Sequence, residues 1–423
     1  MTAASPIKSE RFALLFAVML VAAAGNTAMQ SLMPTIGREL GVPDLWVAVA
    51  FSLSAVIWVL TAPYWARKAD RRGRRALMRL GLYGYIASML VCGTVLAVGL
   101  SGRIAPMTVF IIFVLGRAIY GGWGSASPPA VQAYVAARTE GDQRTNALAV
   151  IASSFGLGTI IGPALAPLFI FPPLGLSGPL IVFAGIGVAV LVSVALFIPD
   201  DTPRSSPRGQ IVAYPSIGSV DSAAPTESAG DERQELRWRD PRVLPWHIIG
   251  IAGGHGQAAM LGVIGFLVID RLNVPLAEAQ QWIAIVLMAG AGASLLAQWG
   301  LIPRLRLDSR QLVYWGSLFS AVGAVMVAFA GGAYGTTIGF AVASLGFGLY
   351  RPGFTSGASL AVRPAEQNIV AGMVTSVNGV AYIAGPAVGV ALYQVDRSLP
   401  WLAIGTLMLL LALWVWLRMK PSA

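Results

Sequence analysis

Charged residues in this chain are spaced apart, and the gaps between them set what it can fold into. Uncharged runs separate Arg11 from Arg38, Asp44 from Arg67, Arg79 from Arg103, Arg242 from Asp270, Glu278 from Arg304 and Arg397 from Arg418, each 20 to 27 residues long. About 20 apolar residues carry a helix across the hydrocarbon core of a bilayer, so each run fits one crossing. Composition agrees: 56% of the 423 residues are hydrophobic and 11% are charged, roughly half the usual charged share. A soluble globular fold, a disordered chain and a disulfide scaffold are excluded. The single cysteine, Cys92, lies inside an apolar run where it neither pairs nor holds a metal. No metal and no cofactor is expected.

Longer uncharged stretches divide at helix breakers. Arg144 to Asp200 divides at Phe171-Pro172-Pro173, and Arg310 to Arg351 at Gly331-Gly332, because the residue before proline leaves the helical region and paired glycines are poor helix formers. Twelve spans result, six between residues 12 and 198 and six between 244 and 417. The first is too long for a signal peptide and is followed by eleven more, so it reads as a permanent crossing. Of the 29 Lys and Arg, 24 fall on the side carrying both termini, and only Arg38, Arg103, Arg271 and Arg397 fall on the other. Both termini are therefore expected in the cytoplasm. The same asymmetry accounts for the net charge of +10 through topology and lipid headgroups, and excludes nucleic acid as a partner.

Residues 199–243 form the one long polar stretch, rich in Pro, Ser, Asp, Glu and Arg, and read as a flexible cytoplasmic linker between two units, 1–198 and 244–423. The units are weak repeats: Pro129 and Pro352, Ser153 and Ser376, Gly162 and Gly385, and Pro163 and Pro386 are each 223 residues apart. Parallel six-helix repeats imply a secondary transporter whose site lies between the halves near the bilayer midplane. The fold expected is all-α and integral to the membrane, with twelve helices in two pseudo-symmetric bundles.

The loop after the second span reads Ala66-Arg67-Lys68-Ala69-Asp70-Arg71-Arg72-Gly73-Arg74-Arg75. It resembles the signature of the major facilitator superfamily, with Ala66 in place of the first glycine. An aspartate among arginines in a glycine-bearing turn can bridge helix ends by charge-assisted bonds that break and re-form. The resemblance implies a conformational latch built on Asp70, Arg71, Gly73 and Arg74. Span five carries Gly158-Thr159-Ile160-Ile161-Gly162-Pro163, similar to the fifth-helix motif of the superfamily's exporters. Small residues four apart let helices approach closely, and proline bends the helix. A moving seam at Gly158, Gly162 and Pro163, repeated at Gly385 and Pro386, is expected.

Arg117, about ten residues into span four and four before Gly121, is similar to the superfamily's fourth-helix arginine. A charge at that depth costs about 3 kcal/mol on insertion scales, so it should face a cavity or a polar partner such as Asn26 or Gln30. No acidic residue is placed mid-span to carry a proton, and Ala137 stands where a family aspartate would complete the latch. Arg117 therefore favours an anionic, zwitterionic or neutral amphiphile. His255, flanked by Gly253, Gly254 and Gly256 in span seven, reads first as a hydrogen-bonded packing residue; because an imidazole can bind and release a proton, coupling is the alternative. Asn26 in span one matches Gln257 in span seven, and Tyr120, Asn378 and Tyr382 complete the candidate substrate and coupling set.

The resemblance implies an alternating-access exporter of a small amphiphilic drug or metabolite, of the twelve-span drug and proton antiport type. Such a protein works as a monomer in the plasma membrane, surrounded by lipid, and is no enzyme. Import or uniport of an anionic metabolite on the same fold is the alternative reading.

Overall fold

An uncharged run away from water must satisfy its own backbone, which a single segment can do only as a helix. The computed structural model describes residues 9–136, 138–139, 141–199, 236–363 and 366–419, and among these it is helical almost throughout. In order come α1 (Ser9–Glu39), α2 (Asp44–Arg72), α3 (Arg74–Leu100), α4 (Pro106–Trp123), α5 (Ser127–Ala136), α6 (Gly141–Leu165) and α7 (Gly178–Phe197). Then follow α8 (Leu244–Leu272), α9 (Leu276–Leu295), the short α10 (Ile302–Leu305), α11 (Ser309–Phe329), α12 (Ala333–Leu360), α13 (Gln367–Val395) and α14 (Leu399–Arg418). Among the described residues ten helical stretches are long and apolar enough to cross a membrane. The 25-residue α6 and the 28-residue α12 stand where the fifth and tenth spans are predicted.

The breaks have identifiable causes. Pro128 and Pro129 lack the N–H groups that would bond the carbonyls of Gly124 and Ser125, and there a three-residue 3₁₀ turn, Gly124–Ala126, joins α4 to α5. A π-turn at Leu296–Leu301 carries α9 into α10. Between α1 and α2 the chain turns at Gly41, and between α2 and α3 at Gly73, with φ of 67° and 87°. Only glycine adopts these left-handed values without strain, so the glycine of the charged loop motif is required by the turn itself. Asp308 opens α11 with a reciprocal capping box to Gln311.

Small residues set how closely the helices pack. A Cβ at Gly323 of α11 would lie 2.1 Å from the Ala343 backbone nitrogen of α12, and one at Gly346 of α12 would lie 2.3 Å from that of Ser320. These two helices therefore meet backbone to backbone. Helix α1 packs on α6 and α7, α3 on α4 and α7, and α2 on α4; further along, α8 packs on α13, α12 on α9, and α11 on α12 and α14. The first seven helices meet the last seven where α2 packs on α13, α6 on α9, and α1 on α8 and α9.

Candidate functional site

Where α1 meets α8 and α9, at the face predicted to be external, one arginine joins three helices. Arg38, in the last turn of α1, donates from Nε and Nη2 to both carboxylate oxygens of Asp44, each at 2.6 Å. Its Nη1 and Nη2 also reach the two oxygens of Asp270 near the end of α8, at 3.1 and 3.0 Å. Asp270 accepts a further bond from the Tyr393 hydroxyl of α13 at 2.7 Å and lies 3.9 Å from Arg397 Nε. Paired, two-pronged contacts of this kind are among the stronger polar interactions. One turn deeper, Thr35 Oγ1 donates to Gln280 Oε1 of α9 at 3.0 Å, with both residues fully buried. Beside them Pro34 fills the space that a side chain at Gly265 would need, 2.4 Å from its Cβ position. This face is sealed by a layer of charge over a layer of packing. Sequence reasoning treated Arg38, Asp44 and Asp270 as loop charges; the available signal was that both outer turns place opposite charges within a few residues of a proline.

At the opposite face, Arg242 donates to both Glu366 oxygens at 2.9 Å and also to Asp240. It ties the approach to α8 to the start of α13. The Arg242 guanidinium, with the Arg363 N–H, holds the Glu366 carboxyl below its usual range.

Arg117 lies inside the wedge of α2, α3 and α4, 3% exposed. Its guanidinium carbon stands 4.8 Å from the Phe51 ring centre and 5.1 Å from that of Tyr120, and Nε and Nη1 have no hydrogen-bond partner. Tyr120, 5% exposed, is itself packed against Trp58 and Tyr85. The charge is thus held by aromatic faces. Asn26 is half-buried with an unpartnered Oδ1, and Gln30 is exposed.

The glycines of span five face α1. A Cβ on Gly162 would lie 2.2 Å from the Ala24 carbonyl oxygen, one on Gly158 would lie 2.6 Å from the Ala23 Cβ, and Thr27 Oγ1 donates to the Gly158 carbonyl at 3.1 Å. Their counterparts repeat the arrangement on α13 and α8: Gly385 meets the Ala258 Cβ at 2.6 Å, and Pro386 sits 2.9 Å from the Cβ position of Gly262. Pro163 is buried in α6 next to Gly162. These close contacts join helices within each repeat, so any seam they form is internal to it.

The remaining candidates scatter over several helices. His255 is half-buried, with Nδ1 2.7 Å from the Ile251 carbonyl of its own helix, and Gln257 is half-buried one turn from the Met260 core position. On α13, Asn378 and Tyr382 are half-buried one turn apart, and Asn378 Nδ2 is enclosed without a partner. In the charged loop Gly73 makes the turn and Arg74 is engaged in contacts. The side chains of Asp70 and Arg71, and all of Ala137, lie outside the described residues. The sequence reading did not single out Arg351, which it counted with the charges of the inner face although its tenth span runs past it. It sits in α12, nine residues before the helix ends at Leu360, and interacts electrostatically with Tyr382.

Helices of this length, joined in this order, are shared with known proteins. The chain is 23% identical over 401 residues, 94% of its own length and 92% of the other's, to Multidrug resistance protein 2 of Bacillus subtilis (strain 168). It is 26% identical over 184 residues to the class B tetracycline resistance protein of Escherichia coli, covering 43% of this chain and 41% of that one. A solved bacterial homologue of the human lysosomal transporter Spinster, in an inward-facing and occupied conformation, superposes with a TM-score of 0.71 at 12% identity, covering 98% of this chain and 99% of that one. The sequence model of the Major Facilitator Superfamily matches residues 15–386. The chain belongs to this superfamily and is a multi-pass membrane transporter of small molecules.

Proposed function

We propose that the protein exports a small amphiphilic compound by alternating access, coupled to proton antiport. In this reading twelve crossings form two six-helix halves, 1–198 and 244–423, with both termini in the cytoplasm, and the protein acts as a monomer in the plasma membrane. The observation that carries it is the relationship to a multidrug resistance protein over 94% of the chain. The sealed layer at Arg38, Thr35 and Gln280 supports it physically, because it is built from contacts between helices that a rocking motion would separate. Small-residue packing within each repeat supports it too, since each half needs to move as a unit.

Everted membrane vesicles test the direction and the coupling together. Acidifying the lumen should drive accumulation of a fluorescent amphiphile, and nigericin, which collapses the pH gradient, should abolish it. Accumulation in right-side-out vesicles instead would support the alternative, import or uniport of an anionic metabolite. That alternative draws on the absence of an acidic residue from the middle of any predicted span. In the same assay Asp70→Asn should lower turnover severalfold while leaving membrane insertion and ligand affinity intact; unchanged turnover removes the latch from the mechanism.

A further inference from the structure

Among the described residues, Arg351 is the intramembrane cation that neither the superfamily motifs nor the sealed face accounts for. At 1.5 Å per residue it lies about 14 Å of helix inside the end of α12, within the tenth predicted span. A charge so placed is retained where it meets a polar or ionic partner. Here it has none of its own: among the described residues no hydrogen bond or ion pair engages the guanidinium, and its Nε is enclosed without a partner. Helix α13 converges on the same stretch of α8: the Cβ position of Gly250 meets Phe354 of α12 at 2.7 Å and Val377 of α13 at 2.6 Å, and that of Gly254 meets Ala381 at 2.8 Å, next to Tyr382, whose phenol contributes to the electrostatic surroundings of Arg351. One turn away on α13 is Asn378, whose Nδ2 is likewise enclosed and unpartnered. Guanidinium and amide N–H groups donate and a phenol can do so as well, and among the described residues no carboxylate pairs with the charge.

The position of Arg351 on its helix says which way this donor set faces. Three and four residues away, Phe354 and Phe347 pack on Gly250 and Gly256 of α8, while Gly348, three residues before Arg351, packs on Ser294 of α9 and on Ala297 in the π-turn that follows it. Arg351 therefore projects between α8 and α9. At their other ends these two helices carry Gly265 and Gln280 against Pro34 and Thr35 of α1. The repeat equivalent of Arg351, 223 residues earlier, is the uncharged Pro128; the charge belongs to the second half alone. Arg117 does not compete for the same role, because aromatic rings wall it in at 3% exposure.

We propose that Arg351, with Tyr382 and Asn378, binds a carboxylate or other oxyanion on the transported compound, so that the substrate is an anionic amphiphile. This rests on the transporter reading and narrows its substrate class. A planar guanidinium takes an oxyanion by two parallel bonds, and the phenol and amide supply further donors to the remaining lone pairs.

The test uses full-length purified protein and three compounds of one shape: 1-naphthaleneacetate, its primary amide and 1-naphthylethylammonium. Thermal shift should show the carboxylate stabilising the wild type most. Arg351→Gln should weaken the carboxylate at least about tenfold while changing the other two little, Arg351→Lys should restore part of the loss, and Tyr382→Phe should cost a smaller factor. The unliganded melting temperature of each variant reports folding separately. A wild type without preference for the carboxylate, or an Arg351→Gln loss equal for all three compounds, overturns the proposal. Counterflow in proteoliposomes distinguishes the two levels: movement of none of the three compounds counts against the transporter reading, whereas movement with identical selectivity in wild type and Arg351→Gln overturns only the anion site.

Discussion

At the scale of the residue, a buried arginine and an exposed one respond to different physics. Arg117 is held by ring faces with unbonded N–H groups, and a buried charge replaced by an apolar side chain of similar volume is often neutral or stabilising. Arg117→Met should therefore keep or raise the melting temperature, while Arg117→Ala, which leaves a cavity among Phe51 and Tyr120, should cost about 2–4 kcal/mol. If Arg117→Met folds and still fails to transport, the charge itself is needed in the cycle. A different titration governs the pair at the opposite face. Arg242 holds the Glu366 carboxyl below its ordinary 4.5 in the folded chain, so the stabilisation is complete above that value and is lost as pH falls through the lower folded one. Arg242 is 41% exposed, so water screens the pair and the effect is modest. Melting curves should show wild type above Glu366→Gln at pH 7 and the two converging toward pH 3. Such readings were only partly open to the sequence. Charge-delimited runs located the helices, but Arg351 was counted with the charges of the inner face, which hid its place inside the tenth span. Helix α12 continues through Pro352, and next to it Gly353 seats against Leu312 and Val313 of α11, a partner with no signature in one sequence.

At the scale of the element, close packing is concentrated where glycines face backbone. The Cβ position of Gly162 lies 2.2 Å from the Ala24 carbonyl oxygen, which cannot rotate away. Gly162→Val should force α6 off α1 and lower stability by about 1–3 kcal/mol, with reduced yield of monodisperse protein. Gly292, for which nothing lies within 4 Å of the Cβ position, is the matched control: Gly292→Ala should melt at or above the wild-type temperature. Glycines at four-residue spacing were visible in the sequence, as was the repetition of Gly162 at Gly385, 223 residues later. Their partner helix was not, because a motif specifies a smooth face and not what lies against it. The glycine of the charged loop was also visible, and its φ of 87° supplies the physical reason it is glycine.

At the scale of the whole molecule, the proposed alternating-access cycle makes the sealed face the contact expected to set the balance between states. Asp270→Asn removes one carboxylate from the Arg38 fork and should shift the population toward separation of α1 from α8. A cysteine placed at Thr35, behind the seal, should then react severalfold faster with a membrane-impermeant maleimide; Cys92 is buried and contributes little background. Arg397→Ala should act in the opposite sense and slow labelling, because Asp270 would have no cation left once Arg38 withdrew. Equal labelling in all three proteins would mean that the charge layer does not control access.

The expected opposition between those two variants comes from how the charges are divided. Two carboxylates share one guanidinium when the helices are together, yet Asp44 is only six residues from Arg38, and Asp270 has Arg397 at 3.9 Å. When the helices part, one anion leaves with one cation on each side. Neither surface is left with a bare charge, so breaking the seal would exchange partners without abandoning any.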